Sequence, residues 1–259
     1  MSSKPDAGES AAIVRLTEWF QTPAGQYVRT WEQSRLDAAV DDVFGYNAIQ
    51  AGLPDCPAMR KSRIPFRAYA GPVAPHRDIH NAWDAVVITD LEDLPFASQS
   101  LDLVVLLHGL EYARNPHQVL REAERVLIPE GRLVISGFNP WSLWGLRQRF
   151  KGRNWLPQCD RFISIARLKD WLNLLSFELD RGQFGCYALP VNSEKWLNRC
   201  AFLEKAGNRW WPVAGSIYVI SAVKRIHGMR LVGPAWKKTR RAAARGQMAV
   251  HQRIKPNNR

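Results

Sequence analysis

Residues 89–137 limit what this chain can fold into more than any other stretch. They read TDLEDLPFASQSLDLVVLLHGLEYARNPHQVLREAERVLIPEGRLVISG. A polar loop leads into Leu101–Leu107, an almost unbroken apolar run of the kind found in strands covered on both faces. Asn115 then stands as an N-cap and Pro116 as a first-turn residue. Val119, Leu120, Ala123, Val126 and Leu127 recur at helical spacing as one apolar stripe. The opposite side of that helix, with Arg121, Glu122, Glu124 and Arg125, reads as a solvated face. Pro129-Glu130-Gly131 makes a turn, with Gly131 at the position expected to need a positive φ, and residues 133–136 form a further strand. Strand, helix, tight turn and strand in this order are part of an open α/β sheet, and such sheets bind ligands at the carboxyl ends of their strands.

The flanks fit the same plan. Residues 11–36 are helical by spacing (Ile13, Leu16, Phe20, then Tyr27 and Trp31), broken in two at Pro23-Ala24-Gly25. Strands are expected at residues 46–51 and 66–70, and a buried one at Ala85–Ile88. Beyond the segment a helix follows Ser164. Residues 177–187 and 217–223 read as strands on either side of a helix with Trp196, Leu197, Phe202 and Leu203. The organisation expected is a helical cap over residues 1–36, an α/β domain over 37–226 and a basic tail over 227–259.

The net charge is confined to that end. Residues 224–259 hold eleven Lys or Arg and no Asp or Glu, which accounts for all but one of the chain's net +12. With few large apolar side chains the tail is expected to be disordered. It is either a solubilising end or an arm that attracts phosphate, nucleic acid included, by counterion release. Cys56, Cys159, Cys186 and Cys200 are scattered without a CxxC pair, so neither a zinc site nor a disulfide framework is expected and a reducing cytoplasm is the natural compartment. No apolar run approaches the ~20 residues of a membrane span.

Asp90-Leu91-Glu92-Asp93-Leu94-Pro95-Phe96, Ser100-Leu101-Asp102-Leu103-Val104 and Arg125-Val126-Leu127-Ile128-Pro129-Glu130-Gly131 resemble class I S-adenosylmethionine-dependent methyltransferases. The likeness is closest to the small-molecule type that includes ubiquinone- and biotin-pathway enzymes. The resemblance implies a Rossmann-like fold: an open, mostly parallel seven-stranded sheet with helices on both faces, its last strand antiparallel beside the fifth. It implies S-adenosylmethionine as cofactor and a small-molecule methyl acceptor. By the same resemblance Asp90 would take the adenine amino group, with Leu91 offering its backbone N–H. His108, just past the fourth strand, would contact cofactor or substrate and is the one candidate for a general base, with Glu111-Tyr112 on the same edge. The loop Gly137-Phe138-Asn139-Pro140-Trp141-Ser142-Leu143-Trp144 stands where substrate is read, with Asn139, Trp141 and Trp144 as candidate contacts.

Two anchors depart from the family pattern. The glycine-rich motif after the first strand reads Gln50-Ala51-Gly52-Leu53-Pro54-Asp55-Cys56, with Gln for the acid, only the first Gly kept, and Pro54 without an N–H. Gln50 and Gly52 are the residues left to face the cofactor there. The acid expected after the second strand is missing as well. A second reading therefore stands beside the first: a fold of this family that no longer catalyses and serves as a binding module, for nucleic acid through the tail.

Overall fold

The computed structural model describes residues 7–150, 156, 162–199 and 202–225. The tail and the expectations attached to it lie outside those residues. The elements in order are α1 (Ala7–Trp19), α2 (Pro23–Val40), β1 (Asn47–Gly52), β2 (Phe66–Gly71), α3 (Arg77–His80), β3 (Ala85–Ile88), β4 (Leu101–Leu107), α4 (Gly109–Tyr112), α5 (Pro116–Val126), β5 (Leu127–Phe138), α6 (Leu143–Phe150), α7 (Ile165–Leu174), β6 (Phe177–Gly185), α8 (Glu194–Arg199), α9 (Phe202–Trp210) and β7 (Ile217–Lys224). They build one seven-stranded sheet in the order β3-β2-β1-β4-β5-β7-β6. The first five strands run parallel, β7 is antiparallel to β5, and β6 is antiparallel to β7.

Alternation along β4 explains its unbroken apolar run. Leu103, Val105 and Leu107 point into a core shared with Ile13, Leu16, Val28 and Leu36 of α1 and α2. Val104 and Leu106 point into a second core with Val119, Leu120, Val126, Leu168 and Leu172 of α5 and α7. Asn115 caps α5 through its side chain, and Ser164 caps α7 in the same way. Asp102 ties down the start of β1, accepting from Tyr46 N and Asn47 N at 2.8 and 2.9 Å.

Four details differ from the reading of the sequence. The helical run is in two pieces as expected, but the break lies at residues 20–22, Pro23 opens the second helix behind the Thr22 cap, and that helix runs to Val40 rather than 36. β3 lies at the sheet edge and is half-exposed rather than buried, because β2 covers only one of its sides. The positive φ in the turn before the second half of β5 falls on Glu130 (63°), not on Gly131. The polar face of α5 is not simply solvated. Glu122 is buried and accepts from Leu94 N, while Arg125 donates to Leu94 O and Phe96 O. That pair fastens the loop after β3 to the helix, so the loop's shape is set from 28 or more residues away.

Candidate functional site

The carboxyl ends of β1, β2 and β4 meet on the side covered by α1 and α2, and the residues singled out in the sequence gather there. Gly52 closes β1 with φ 107°, and a Cβ on it would lie 2.3 Å from Leu107 O of the neighbouring strand. Only glycine permits both the dihedral and the approach. Gly52→Ala is expected to cost at least about 2 kcal/mol, seen as a lower denaturation midpoint at unchanged slope.

Gln50 is fully buried and is spent on its own loop. Its Nε2 donates to Leu53 O and Cys56 O at 2.8 and 2.9 Å, and its Oε1 accepts from Ala58 N at 2.8 Å. The loop that glycines would normally shape is held instead by one amide side chain acting on three backbone groups. Tyr69 adds a fourth tie, its hydroxyl donating to Gly52 O at 2.8 Å. The expectation that Gln50 faces the cofactor directly gives way to this fastening role, since its polar atoms point into the turn.

Near the second missing acid stands a carboxylate from another segment. Asp55, in the loop after β1, accepts from the backbone N–H of His76 at 2.9 Å and so stands beside the segment that follows β2. Arg29 of α2 donates to Asp55 O at 2.9 Å. A carboxylate thus reaches the rim where β2 itself supplies none.

Asp90 sits half-buried at the end of β3. Its Oδ1 accepts from Glu92 N at 2.9 Å, which closes an Asx turn, and only that oxygen is engaged among the described residues. Leu91 is fully buried, and its N–H donates to no backbone carbonyl among the described residues. The carboxylate edge of Asp90 and this N–H match the amino group and ring nitrogen of an adenine. The residues therefore fit an adenosine at the β3 and β1 rims. The loop after β1 owes its order to Gln50 rather than to glycines.

His108 follows directly on the end of β4. It is buried, adopts the left-handed region at φ 53° as β4 turns into α4, and is flanked by two carboxylates. Its Nδ1 lies 2.8 Å from Glu111 Oε2, and its Nε2 lies 3.1 Å from Glu32 Oε1 of α2. The second contact is close enough for charges to attract but misaligned for a hydrogen bond, so His108 Nε2 and Glu32 Oε2 are both buried without a hydrogen-bond partner. Glu32 Oε1 accepts from Ser136 Oγ of β5, and Glu111 Oε1 accepts from Phe138 N. Phe20 and Phe138 close over the imidazole, with ring centroids 5.5 and 4.6 Å away.

Burial works against the charged imidazole, but Glu32 and Glu111 outweigh it and push the pKa of His108 up to about 10. Burial pushes the Glu111 carboxyl up, against the pull of His108 and the Phe138 N–H. Near neutral pH His108 is therefore an imidazolium, which donates a proton rather than taking one. A protonated imidazole has no lone pair free for the general-base role expected of His108, and the carboxylate beside it is that of Glu32.

Glu32 and Asp55 are carboxylates at these positions that the motifs did not point to. Glu32 did carry a signal. It interrupts the stripe Val28, Leu36, Val40 at i+4 spacing, placing a carboxylate where α2 otherwise buries apolar side chains.

The loop after β5 is a structural joint. Asn139 donates to Val213 O and Gly215 O at 2.7 and 2.9 Å and accepts from Trp141 N. Trp144 is buried, donates to Ala188 O at 2.7 Å and packs edge-on against Trp19. Neither is free to read a substrate, while Trp141 is exposed to solvent. A groove of about 740 Å3 runs between α2 and α8–α9, lined by Tyr27, Trp31, Leu197 and Glu204. An aromatic wall of Tyr27, Trp144, Trp19 and Phe138 leads from it toward His108.

Known proteins share this architecture. A family model described as "Methyltransferase domain" matches residues 70–135. The chain is 33% identical over 214 residues to the uncharacterized protein YafS of Escherichia coli (strain K12), covering 80% of each. It is 31% identical over 142 residues to a malonyl-[acyl-carrier protein] O-methyltransferase of Laribacter hongkongensis, covering 53% of this chain and about half (48%) of that protein. Among solved structures, the Haloferax volcanii complex between the Trm112 methyltransferase activator and a methyltransferase aligns with a TM-score of 0.61 at 18% identity, over 83% of this chain and 98% of that one.

Proposed function

The chain belongs to the class I S-adenosylmethionine-dependent methyltransferase family, and on that premise we propose that it methylates an oxygen or nitrogen on a small acceptor whose proton is managed by Glu32 and His108. The observation that carries this reading is the pair of buried polar atoms that lack a hydrogen-bond partner, Glu32 Oε2 and His108 Nε2, on two side chains whose other contact, Glu32 Oε1 to His108 Nε2, is 3.1 Å. Buried polar atoms of a native protein are nearly always satisfied. An acceptor O–H or N–H satisfies both, accepting from the imidazolium and donating to the carboxylate.

S-adenosylmethionine, the family's cofactor, supplies a methyl group already activated on a sulfonium. The residues that would hold it are Asp90 and Leu91 at the adenine, Asp55 at the ribose rim, and the backbone of the loop fixed by Gln50. Phe20, Phe138 and Trp19 keep water from the cluster, which strengthens every charge inside it. Glu32 draws the acceptor's proton, and the imidazole of His108 beside it orients the acceptor. The relatives named as malonyl-[acyl-carrier protein] O-methyltransferases act on oxygen, which agrees with an oxygen acceptor here.

Binding of S-adenosylhomocysteine tests the reading. At 100 times its dissociation constant the ligand is expected to add about 2.7 kcal/mol of stability, and calorimetry should give one site per chain. Asp90→Ala should weaken that binding by about ten- to a hundredfold. A chain that shows neither shift nor heat at millimolar ligand would be a binding module with this fold instead.

A further inference from the structure

Eight of the fourteen large hydrophobic side chains exposed among the described residues fall within two stretches, residues 141–146 and 189–213. Trp141 is 77% exposed, Trp210 68% and Trp211 66%, and Leu143, Leu146 and Val213 are each at least half exposed. Hydrogen bonds between the two stretches make them one face. Asn139 holds the carbonyls of Val213 and Gly215, Trp144 holds that of Ala188, and the Arg147 guanidinium donates to Pro190 O. The other exposed hydrophobics, such as Val14, Phe44 and Leu174, are scattered along the chain.

We propose that this face, built from α6, α8, α9 and the turn at Pro212–Ala214, docks on an anionic lipid surface. Three kinds of side chain point to that occupant. Indoles suit the boundary between headgroups and acyl chains. Leu143, Leu146 and Val213 bring aliphatic area that a nucleic acid cannot use. Among them stand the exposed cations Arg149, Lys195, Arg199 and Arg209, against Glu194 as an exposed carboxylate. Arg199 lies over the Trp196 ring at 5.7 Å, pairing charge with indole as an interfacial residue does. Apolar and cationic side chains together are the signature of a surface that lies in an anionic interface rather than across it. A second copy of the chain fits poorly, because a two-fold axis sets the patch against itself and brings like cations together. No helix among the described residues is long and apolar enough to cross a membrane, so the contact is peripheral.

Cosedimentation of the full-length protein with vesicles tests this. Phosphatidylcholine–phosphatidylglycerol vesicles should carry the protein down, and pure phosphatidylcholine vesicles should do so far less. The triple change Trp141→Ser, Trp210→Ser, Trp211→Ser should weaken the anionic-vesicle affinity about tenfold or more, with the melting temperature and S-adenosylhomocysteine binding unchanged because all three side chains lie at the surface. Three results would overturn the proposal. One is unchanged vesicle affinity in the triple variant, which would leave the basic tail as the whole cause. Another is equal binding to both vesicle types. The last is no vesicle binding together with a dimer that the same substitutions disperse, which would give the face to a second copy of the chain.

Discussion

Gln50→Glu, the substitution that restores the family's acid, is expected to destabilise the chain by about 3–5 kcal/mol and to leave S-adenosylhomocysteine binding no tighter. The amide at position 50 donates twice and accepts once inside a fully buried turn. An ionised carboxylate donates nothing, so it would face the carbonyls of Leu53 and Cys56 as a buried, uncompensated charge. A protonated one could satisfy only one of those carbonyls, and keeping it protonated at neutral pH means raising its pKa by three or four units, each worth about 1.4 kcal/mol. At two to four degrees per kcal/mol for a chain of this size, the melting temperature should fall by about 10 °C. Gln50→Ala, which adds no charge but leaves three backbone groups unpaired, should lose somewhat less. Should Gln50→Glu instead keep its stability and bind the ligand more tightly, residue 50 would be a degraded cofactor contact and not the fastener of the loop.

The contrast between Gln50 and β4 shows what a sequence discloses in a chain of this kind. β4 and α5 were legible because their causes are local. An apolar run needs two covered faces, and Asn115-Pro116 sets the start of a helix whatever packs on it. The resemblance over residues 85–137 implied seven strands with the last antiparallel beside the fifth, as β7 is beside β5. What escaped was set by distant partners. Glu122 and Arg125 look like any i,i+3 surface pair until Leu94 and Phe96 are brought up to them. Asp55 takes on meaning only when folding brings His76 beside it. Trp141 and Trp144 are indistinguishable by composition, yet α6 starts between them and turns one into the core and the other to solvent. At position 50 the pattern disclosed that an acid was absent, but not that the amide has a task of its own. That task depends on carbonyls whose directions are fixed by the closed turn.

The buried charges make a second large prediction, on the pH dependence of stability. His108 binds its proton more tightly in the folded chain, with a pKa of about 10 against about 6.5 when unfolded. The native state therefore holds more protons than the unfolded state between those values, and stability falls as pH rises through that window. The contribution is fully present below about pH 6.5 and gone above about 10. Glu111, whose carboxyl is also pushed up, contributes with the same sign at lower pH. Glu32→Gln keeps the shape and an oxygen for Ser136 while removing the first of the charges that hold His108 protonated. At pH 6 the variant should lose about 3 kcal/mol, the low end for a buried pair deprived of one partner, since Glu111 remains. The difference from the parent should shrink as pH rises and vanish or change sign near pH 10. As the parent's imidazole loses its proton, the attraction that Glu32 makes to it and the amide cannot make is lost as well. Urea denaturation at pH 6, 8 and 10 measures this directly. A loss that stayed constant with pH would mean that Glu32 acts through packing alone, and His108 would then have to owe its proton to Glu111.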